Sequence, residues 1–508
     1  MVERCTGMGL AGIESFKVTV EADLSSGLPS FDIVGLPDAA VKESRDRVRS
    51  AMKNCGFEFP LGKITVNLAP ADTRKVGPLY DLPISIVLLK LSGQLDAKID
   101  DSVFIGEISL SGEVNSVNGI LPMTIEAQKL GFKRIFVPYP NRAEAAVVKN
   151  IEVYPVKDIA RLHSHLSGKK PIEKADPEKL TVTQGDFTVD FSQVKGQYEA
   201  KRALEIAAAG SHNVLLVGPP GSGKSMLAQR LSTILPDMTF EETIETTKIH
   251  SIAGNIPSGL SLITQRPFRA PHHTISPMGL AGGGSVPSPG EISLAHNGVL
   301  FLDEFPEFSR TTMEVLRQPL EDGTVTISRV SGTLTYPCSV AMVCAMNPCP
   351  CGYYGTGIKK CTCTPAAVTR YLNKISGPLL DRIDIHIEVP AVKYEELSST
   401  LPAEKSEDIR KRVNKARAIQ TQRFKDISVN ANSRIPSGKL HDFCRLDDKA
   451  DQILKYAFEK LGMSSRAYSK VLKVARTIAD LEGSEIIKSD HIAEAIQYRS
   501  LDRKYWNR

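Results

Sequence analysis

Residues 213–231 read NVLLVGPPGSGKSMLAQRL, and the rest of the chain is best understood outward from them. NVLLV is a short, unbroken apolar run, the pattern of a strand covered on both faces in a parallel sheet. The eight residues that follow, Gly218, Pro219, Pro220, Gly221, Ser222, Gly223, Lys224 and Ser225, fit G-x-x-x-x-G-K-S. Glycines in such a loop let backbone N–H groups turn inward around phosphate oxygens. The lysine then reaches the β- and γ-phosphates, and the serine hydroxyl ligates Mg²⁺. Met226 to Leu235 continues as a helix pattern. These eight positions are therefore the candidate ATP-binding residues, with Mg²⁺ as the companion ion.

Two downstream stretches supply what a phosphate loop lacks. VLFLDE, 299–304, is an apolar strand ending in two carboxylates. Asp303 suits the Mg²⁺ shell beside Ser225, and Glu304 suits polarisation of the attacking water. SVAMVCAMN, 339–347, is a third strand, and it ends at Asn347, placed to touch the γ-phosphate or that water. Acidic pairs and asparagines are common at strand ends; following a phosphate loop, they gain a specific meaning.

The 508 residues predict about three domains. A 42% hydrophobic and 24% charged composition excludes a disordered or membrane-bundle chain. The net charge of +5 is too mild to imply nucleic acid. From Ala391 onward, however, 24 Lys and Arg face 17 Asp and Glu. No signal-peptide core follows Met1, and no apolar run approaches a membrane span. Nine scattered cysteines fit a reducing cytoplasm better than a disulfide scaffold.

Residues 1–167 mix β-rich stretches (Phe16 to Glu21, Ile64 to Leu68, Val103 to Ile108, Arg134 to Val137) with helical patterns. DAAVKESRDRVRSAMKNCG predicts a helix stopping at Gly56. Residues 168–186, charged and proline-containing, predict an exposed linker. Residues 187–390 alternate strands with helices, and residues 391–508 predict an α-helical domain. The expected class is thus α/β: a P-loop core with a parallel sheet, an α+β domain before it and a helical lid after it.

CPCGYYGTGIKKCTC, 349–363, spaces Cys349, Cys351, Cys361 and Cys363 as C-x-C-x9-C-x-C. Four thiolates suit a structural Zn²⁺, although one-residue gaps depart from the usual spacing. The alternative is reduced thiols in an insertion. The long Gly/Pro-rich stretch 266–291 offers Arg266, Arg269, His272 and His273 to nucleic-acid phosphates, or is simply structural. DIRKRVNKARAIQTQRFK, 408–425, is a basic helix pattern, read as a solvated face with a DNA-facing role as the alternative.

With these residues in hand, the chain resembles the AAA+ ATPases of the Mg-chelatase-like branch, and more narrowly the bacterial YifB/ComM family. LPSFDIVGLPDAAVKESRDRVRSA, FEFPLGKITVNLAPAD, FRAPHHTIS, NPCPCG, LLDRIDIHIEVP and SSRAYSKVLKVARTIADLEG carry the resemblance over nearly the whole length. It implies that DFSQVKGQ, 190–197, packs beside the adenine and that Asn347 is sensor 1. It implies that Arg382 is an arginine finger for a neighbour's ATP, and that Arg466 is the sensor 2 arginine. Lys224, Asp303, Glu304, Asn347, Arg382 and Arg466 are then the candidate catalytic set. A homo-oligomeric ring, a hexamer, is implied, acting on single-stranded or branched DNA. The activity implied is that of a helicase promoting branch migration in recombination during natural transformation.

The first zone resembles the protease domain of Lon. KVGPLYD, 75–81, and GEVNSVNGIL, 112–121, place the expected serine on Leu79 and the lysine on Leu121. Leucine can neither attack a carbonyl nor accept a proton, which disfavours an ATP-dependent protease. A magnesium-chelatase motor subunit and a non-motor chaperone are the other rivals.

Overall fold

The computed structural model describes residues 2–506 apart from 177–187, 258, 285, 286, 330, 331, 393, 399–402 and 428. The first unit is built on a mixed seven-stranded sheet. Its order is Ser30–Val34, Lys63–Ala69, Glu14–Ser25, Val2–Ala11, Ser102–Phe104, Arg134–Pro138, Glu152–Val156. Alternation explains the longest strand: Val18, Val20 and Ala22 are fully buried while Lys17 faces solvent. The helix Ala39–Asn54 starts where the Asp38 side chain accepts the Val41 N–H at 2.8 Å and stops before Gly56. The expected strand Val103 to Ile108 is divided. Ser102–Phe104 belongs to the large sheet, and Glu107–Ile108 pairs with Val114–Asn115. The break falls at Gly106, where a Cβ would lie 2.7 Å from Val114 Cγ1.

The first apolar core runs from Cys5 to Ile172, and the Ala175 N–H bonds the Val153 carbonyl at 2.8 Å. Residues 168–176 are mostly exposed, as expected of a linker, but Ile172 is buried and anchors the stretch to the first unit. The remainder of that stretch, 177–186, lies outside the described residues. Leu79 lines an apolar cavity of about 460 Å³ between the first unit and Leu334 and Tyr336 of the second. Leu121 is buried, and its N–H donates to the Glu144 carboxylate at 2.8 Å.

The second unit holds a five-stranded parallel sheet in the order Phe268–Arg269, Val299–Leu302, Ala341–Met346, Val214–Val217, Ile385–Glu388. Every residue of its three central strands is buried. Val214, Leu216, Phe301 and Val343 enter one core, whereas Leu215, Val217, Leu302 and Cys344 enter the other. The apolar runs are thus continuous because both faces are covered.

The C-terminal zone is helical, as its patterns predict, but its helices share the core on one face of this sheet. Val413 and Ala416 of Ser406–Arg423, with Val471, Val474 and Ile478 of Ser465–Leu481, join the cluster that contains Val214. The basic helix also turns inward. Arg412 pairs with Glu205 at 2.6 Å, and Arg417 donates to the Ala208 carbonyl and Ser211. Arg423 meets the buried Asp480 at 2.7 Å. These three guanidiniums are held within the chain, whereas Lys411 and Lys415 of the same helix stay exposed. Among the described residues, no helix is long and apolar enough to cross a membrane.

Candidate nucleotide site

The loop Gly218 to Gly223 leaves the C-terminal end of the strand Val214–Val217 and enters the helix Lys224–Ile234. Gly218 donates its N–H to the Met346 carbonyl at 3.1 Å, and a Cβ there would overlap the Val389 carbonyl. Gly223, at φ +90°, turns the chain into the helix through the left-handed region, where only glycine is unstrained. A close backbone neighbour at Gly218 and a left-handed turn at Gly223 thus account for the glycine spacing noted in the sequence.

Lys224 is 9% exposed. Its Nζ donates to the carbonyls of Gly218 and Pro219, each at 2.8 Å, and to Asn347 Oδ1 at 3.2 Å. Burial pulls its pKa down to about 8, with Asp303 opposing. Ser225 Oγ donates to Asp303 Oδ2 at 2.6 Å. The parallel sheet therefore brings Lys224, Ser225, Asp303 and Asn347 together at one edge, as the sequence predicts. A hydroxyl facing a carboxylate is an oxygen donor set, suited to a hard cation such as Mg²⁺.

Glu304 sits at φ +50°, a left-handed conformation that strains a residue with a side chain. Its side chain is 61% exposed, and His273 Nδ1 lies 3.3 Å from Glu304 Oε2. Sequence reading missed this contact; the parallel register Arg269↔Leu300 is what carries His273 toward Glu304. Gln197 was also missed as an individual residue, although it ends the quoted stretch DFSQVKGQ. It donates to the Ser222 carbonyl at 3.3 Å and the Pro390 carbonyl at 2.6 Å, tying that stretch to the loop.

Two arginines expected to face nucleic acid are paired instead. Arg266 bonds the Pro236 and Asn297 carbonyls and Glu242, and Arg269 holds Glu291 through two 2.7 Å bonds. A desolvated guanidinium needs such partners. His272 stays exposed, its ring tilted against that of His273 with centroids 4.1 Å apart.

Arg382 and Arg466 do not join Lys224 within the chain. They line a cavity of about 540 Å³ with Asn213, Asp384, Lys470 and Lys473. Asn213 and Asp384 precede their strands, so this cavity lies at the opposite end of the sheet from the phosphate loop. A four-residue strand separates the two ends by roughly 10 Å or more. Arg382 donates to the Pro378 carbonyl at 2.8 Å and pairs with Glu321, rather than with Asp381 or Asp384. Its Nε is buried without a partner. Burial raises the Asp384 pKa, but Lys470 at 2.7 Å and His212 outweigh it and hold the carboxyl far below the usual range. Arg466 is exposed in the first turn of Ser465–Leu481.

Behind Asn347, the thiols of Cys349, Cys351, Cys361 and Cys363 converge. Sulfur separations are 3.3 Å (349–351), 3.7 Å (349–361) and 3.5 Å (351–361), and all four sulfurs lie within 4.8 Å of one another. N–H groups of Tyr353 and Thr362 pull Cys351 well below the usual thiol range.

Three family models match consecutive parts of the chain. "Subunit ChlI of Mg-chelatase" covers residues 20–141, "Magnesium chelatase, subunit ChlI" covers 190–397, and "Magnesium chelatase, subunit ChlI C-terminal" covers 403–499. YifB of Escherichia coli K12 is 44% identical over 494 residues, 97% of this chain and 96% of that protein. The competence protein ComM of Haemophilus influenzae is 45% identical over 497 residues, again 97% and 96%. A mitochondrial Lon protease homologue of Neurospora crassa shares 27% identity over 188 residues, 34% of this chain and 17% of its own. Identity at this level across nearly the full length of both partners decides the family: the chain belongs to the Mg-chelatase-like proteins, in the branch that holds YifB and ComM.

Proposed function

We propose that the chain is an AAA+ ATPase that assembles into a ring, a hexamer, and hydrolyses ATP between neighbouring protomers. The observation that carries this reading is the convergence of Lys224, Ser225, Asp303 and Asn347 at the C-terminal edge of a parallel sheet. On this reading, backbone N–H groups of Gly218 to Gly223 cradle the phosphates, and the Lys224 ammonium neutralises the β- and γ-oxygens. Ser225 and Asp303 would hold Mg²⁺, which when bound would supply charge neutralisation. Glu304 orients water for attack, and Asn347 fixes that water against the γ-phosphate. Arg382 and Arg466 lie at the far end of the sheet, so they serve the site of an adjoining copy.

His273 restrains Glu304, and Glu304 must leave it to polarise water. The His273→Ala chain is expected to bind nucleotide normally and to hydrolyse it about fivefold faster without DNA, the rate equivalent of ~1 kcal/mol of released restraint. A steady-state phosphate-release assay reads this; a slower rate would make His273 a helper rather than a restraint.

The lowered pKa of Lys224 predicts a pH effect on the free chain. Below about pH 8 the ammonium is charged and attracts phosphate; above it the amine is neutral. Nucleotide affinity should therefore fall by nearly tenfold per pH unit above about 8. Titration of a fluorescent ATP analogue between pH 7 and 9.5 measures it, and a flat profile would contradict the assignment of Lys224.

We further propose DNA as the substrate, with helicase action promoting branch migration during natural transformation. The support is the 45% identity to the competence protein ComM. ATPase rates with forked, single-stranded and duplex DNA test it; no stimulation by any of them would remove the DNA reading. The family descriptions favour one second reading, a chelatase motor, which porphyrin-stimulated turnover would support.

A structural Zn²⁺ joins ATP and Mg²⁺ as a proposed cofactor. With Zn–S near 2.3 Å, the edges of a tetrathiolate tetrahedron are about 3.8 Å. Separations of 3.3–3.7 Å among Cys349, Cys351 and Cys361, with the Cys363 sulfur within 4.8 Å of each, fit one ion. An iron–sulfur cluster, whose cysteines bind different irons, needs its sulfurs farther apart.

A further inference from the structure

The cysteine loop touches the nucleotide site directly. Only Asn347 and Pro348 separate the strand Ala341–Met346 from Cys349. Asn347 holds Lys224, and Met346 accepts the Gly218 N–H. On its outer side the loop lies against the phosphate loop itself. A Cβ at Gly352 would lie 2.7 Å from Pro220 Cγ and closer still to Pro220 Cδ, so only glycine fits there, at φ +87°. The Gly352 N–H closes a turn onto the Cys349 carbonyl at 3.0 Å, which fixes Gly352 directly after Cys349 and Cys351.

The other flank is clamped as well. Gly355 abuts the Lys504 side chain, and Tyr354 sits 6.5 Å from the Tyr505 ring. Lys504 in turn pairs at 2.7 Å with Glu388, which is in register with Val217. Between these contacts, residues 351–363 contain no helix or strand. Besides short turns such as Gly352 N–H to the Cys349 carbonyl and Thr356 N–H to the Tyr353 carbonyl, the four converging sulfurs tie the two ends of this loop together. An ion bound there contributes its binding energy to the order of the loop.

We infer that a Zn²⁺ held by Cys349, Cys351, Cys361 and Cys363 shapes the phosphate loop through Gly352 and Asn347, so that metal occupancy sets nucleotide affinity. This rests on the nucleotide reading above. Loss of the ion frees the wall against Pro220 and the anchor on Lys224. Because coupling between two binding sites is reciprocal, bound nucleotide must tighten the hold on zinc by the same factor.

The test uses the full-length protein with Mg²⁺ present throughout. Zinc content is measured by elemental analysis, and affinity with a fluorescent ATP analogue. The wild type is expected to carry one zinc. Removing it with a zinc-selective chelator should weaken analogue binding about tenfold, within the 5–150-fold ordinary for coupled sites. Re-adding Zn²⁺ should restore it, which separates coupling from unfolding. Saturating analogue should make zinc about tenfold harder to extract. Gly352→Ala, which keeps all four ligands, should retain zinc yet bind the analogue more weakly. Lys224→Ala should retain zinc and lose the analogue.

A wild-type protein that carries and takes up no zinc overturns the metal site. Equal analogue affinity with and without zinc, or wild-type affinity in Gly352→Ala, overturns the coupling. Unchanged analogue binding by Lys224→Ala overturns the nucleotide reading instead.

Discussion

The Lys224→Ala chain is expected to lose ATP turnover by at least about 10³-fold, and to lose most of its nucleotide affinity with it. A preorganised cation aimed at developing phosphate charge in a site shielded from water accounts for several kcal/mol of transition-state stabilisation. On the proposed reading Lys224 is such a cation: it is 9% exposed and held by two carbonyls and Asn347. Its fold cost runs the other way. Burial lowers its pKa, so the charged form is disfavoured in the folded chain. Replacing it with alanine should therefore leave the thermal midpoint of the nucleotide-free protein within a few degrees of wild type. Turnover lost with stability kept places the defect in chemistry; a chain that melts early would say instead that Lys224 holds the loop together.

The Arg382→Ala chain should show the opposite division. Its phosphate loop is intact, so analogue affinity should stay within about twofold of wild type. Hydrolysis in the assembled ring should fall by about 10³-fold, the scale of an arginine supplied in trans. The proposed trans role predicts this split, and it is consistent with Arg382 and Arg466 opening onto a cavity at the other end of the sheet from Lys224. In the isolated chain Arg382 is parked on Glu321 and the Pro378 carbonyl, with its Nε unpartnered. Docking of an adjoining copy would draw it away from Glu321. Arg466→Ala should behave alike, though less severely, since Arg466 is exposed and lies in the first turn of its helix. Equal losses of binding and turnover would assign Arg382 to its own protomer's fold.

The two patterns that rest on local chemistry were legible in the sequence. A glycine loop between an apolar strand and a helix, and acids after a second apolar strand, are set by residues adjacent in the chain. The structure places Lys224, Ser225, Asp303 and Asn347 together accordingly. What depended on distant partners was not legible. The positive charges of Arg266, Arg269, Arg412 and Arg417 suggested surfaces for phosphate or solvent. Their partners, among them Glu242, Glu291, Glu205 and the Ala208 carbonyl, are joined to them only by folding. The Gly/Pro-rich stretch 266–291 carried no sign that His273 would meet Glu304, because that contact comes from strand register. The cysteine spacing suggested an ion, yet gave no hint that Gly352 would press on Pro220. The position of Arg466 beside Arg382 likewise follows from how Ser465–Leu481 packs, which residue spacing does not encode.

The central claim is that one catalytic site is assembled from two copies of the chain, a phosphate loop from one and arginines from the next. Mixing Lys224→Ala protomers with Arg382→Ala protomers tests it most directly. Each variant alone is inert, but in a randomly mixed ring about a quarter of the interfaces pair an intact loop with an intact arginine. The account predicts turnover rising to about a quarter of the wild-type rate in an equimolar mixture. A mixture no faster than either variant alone would contradict it.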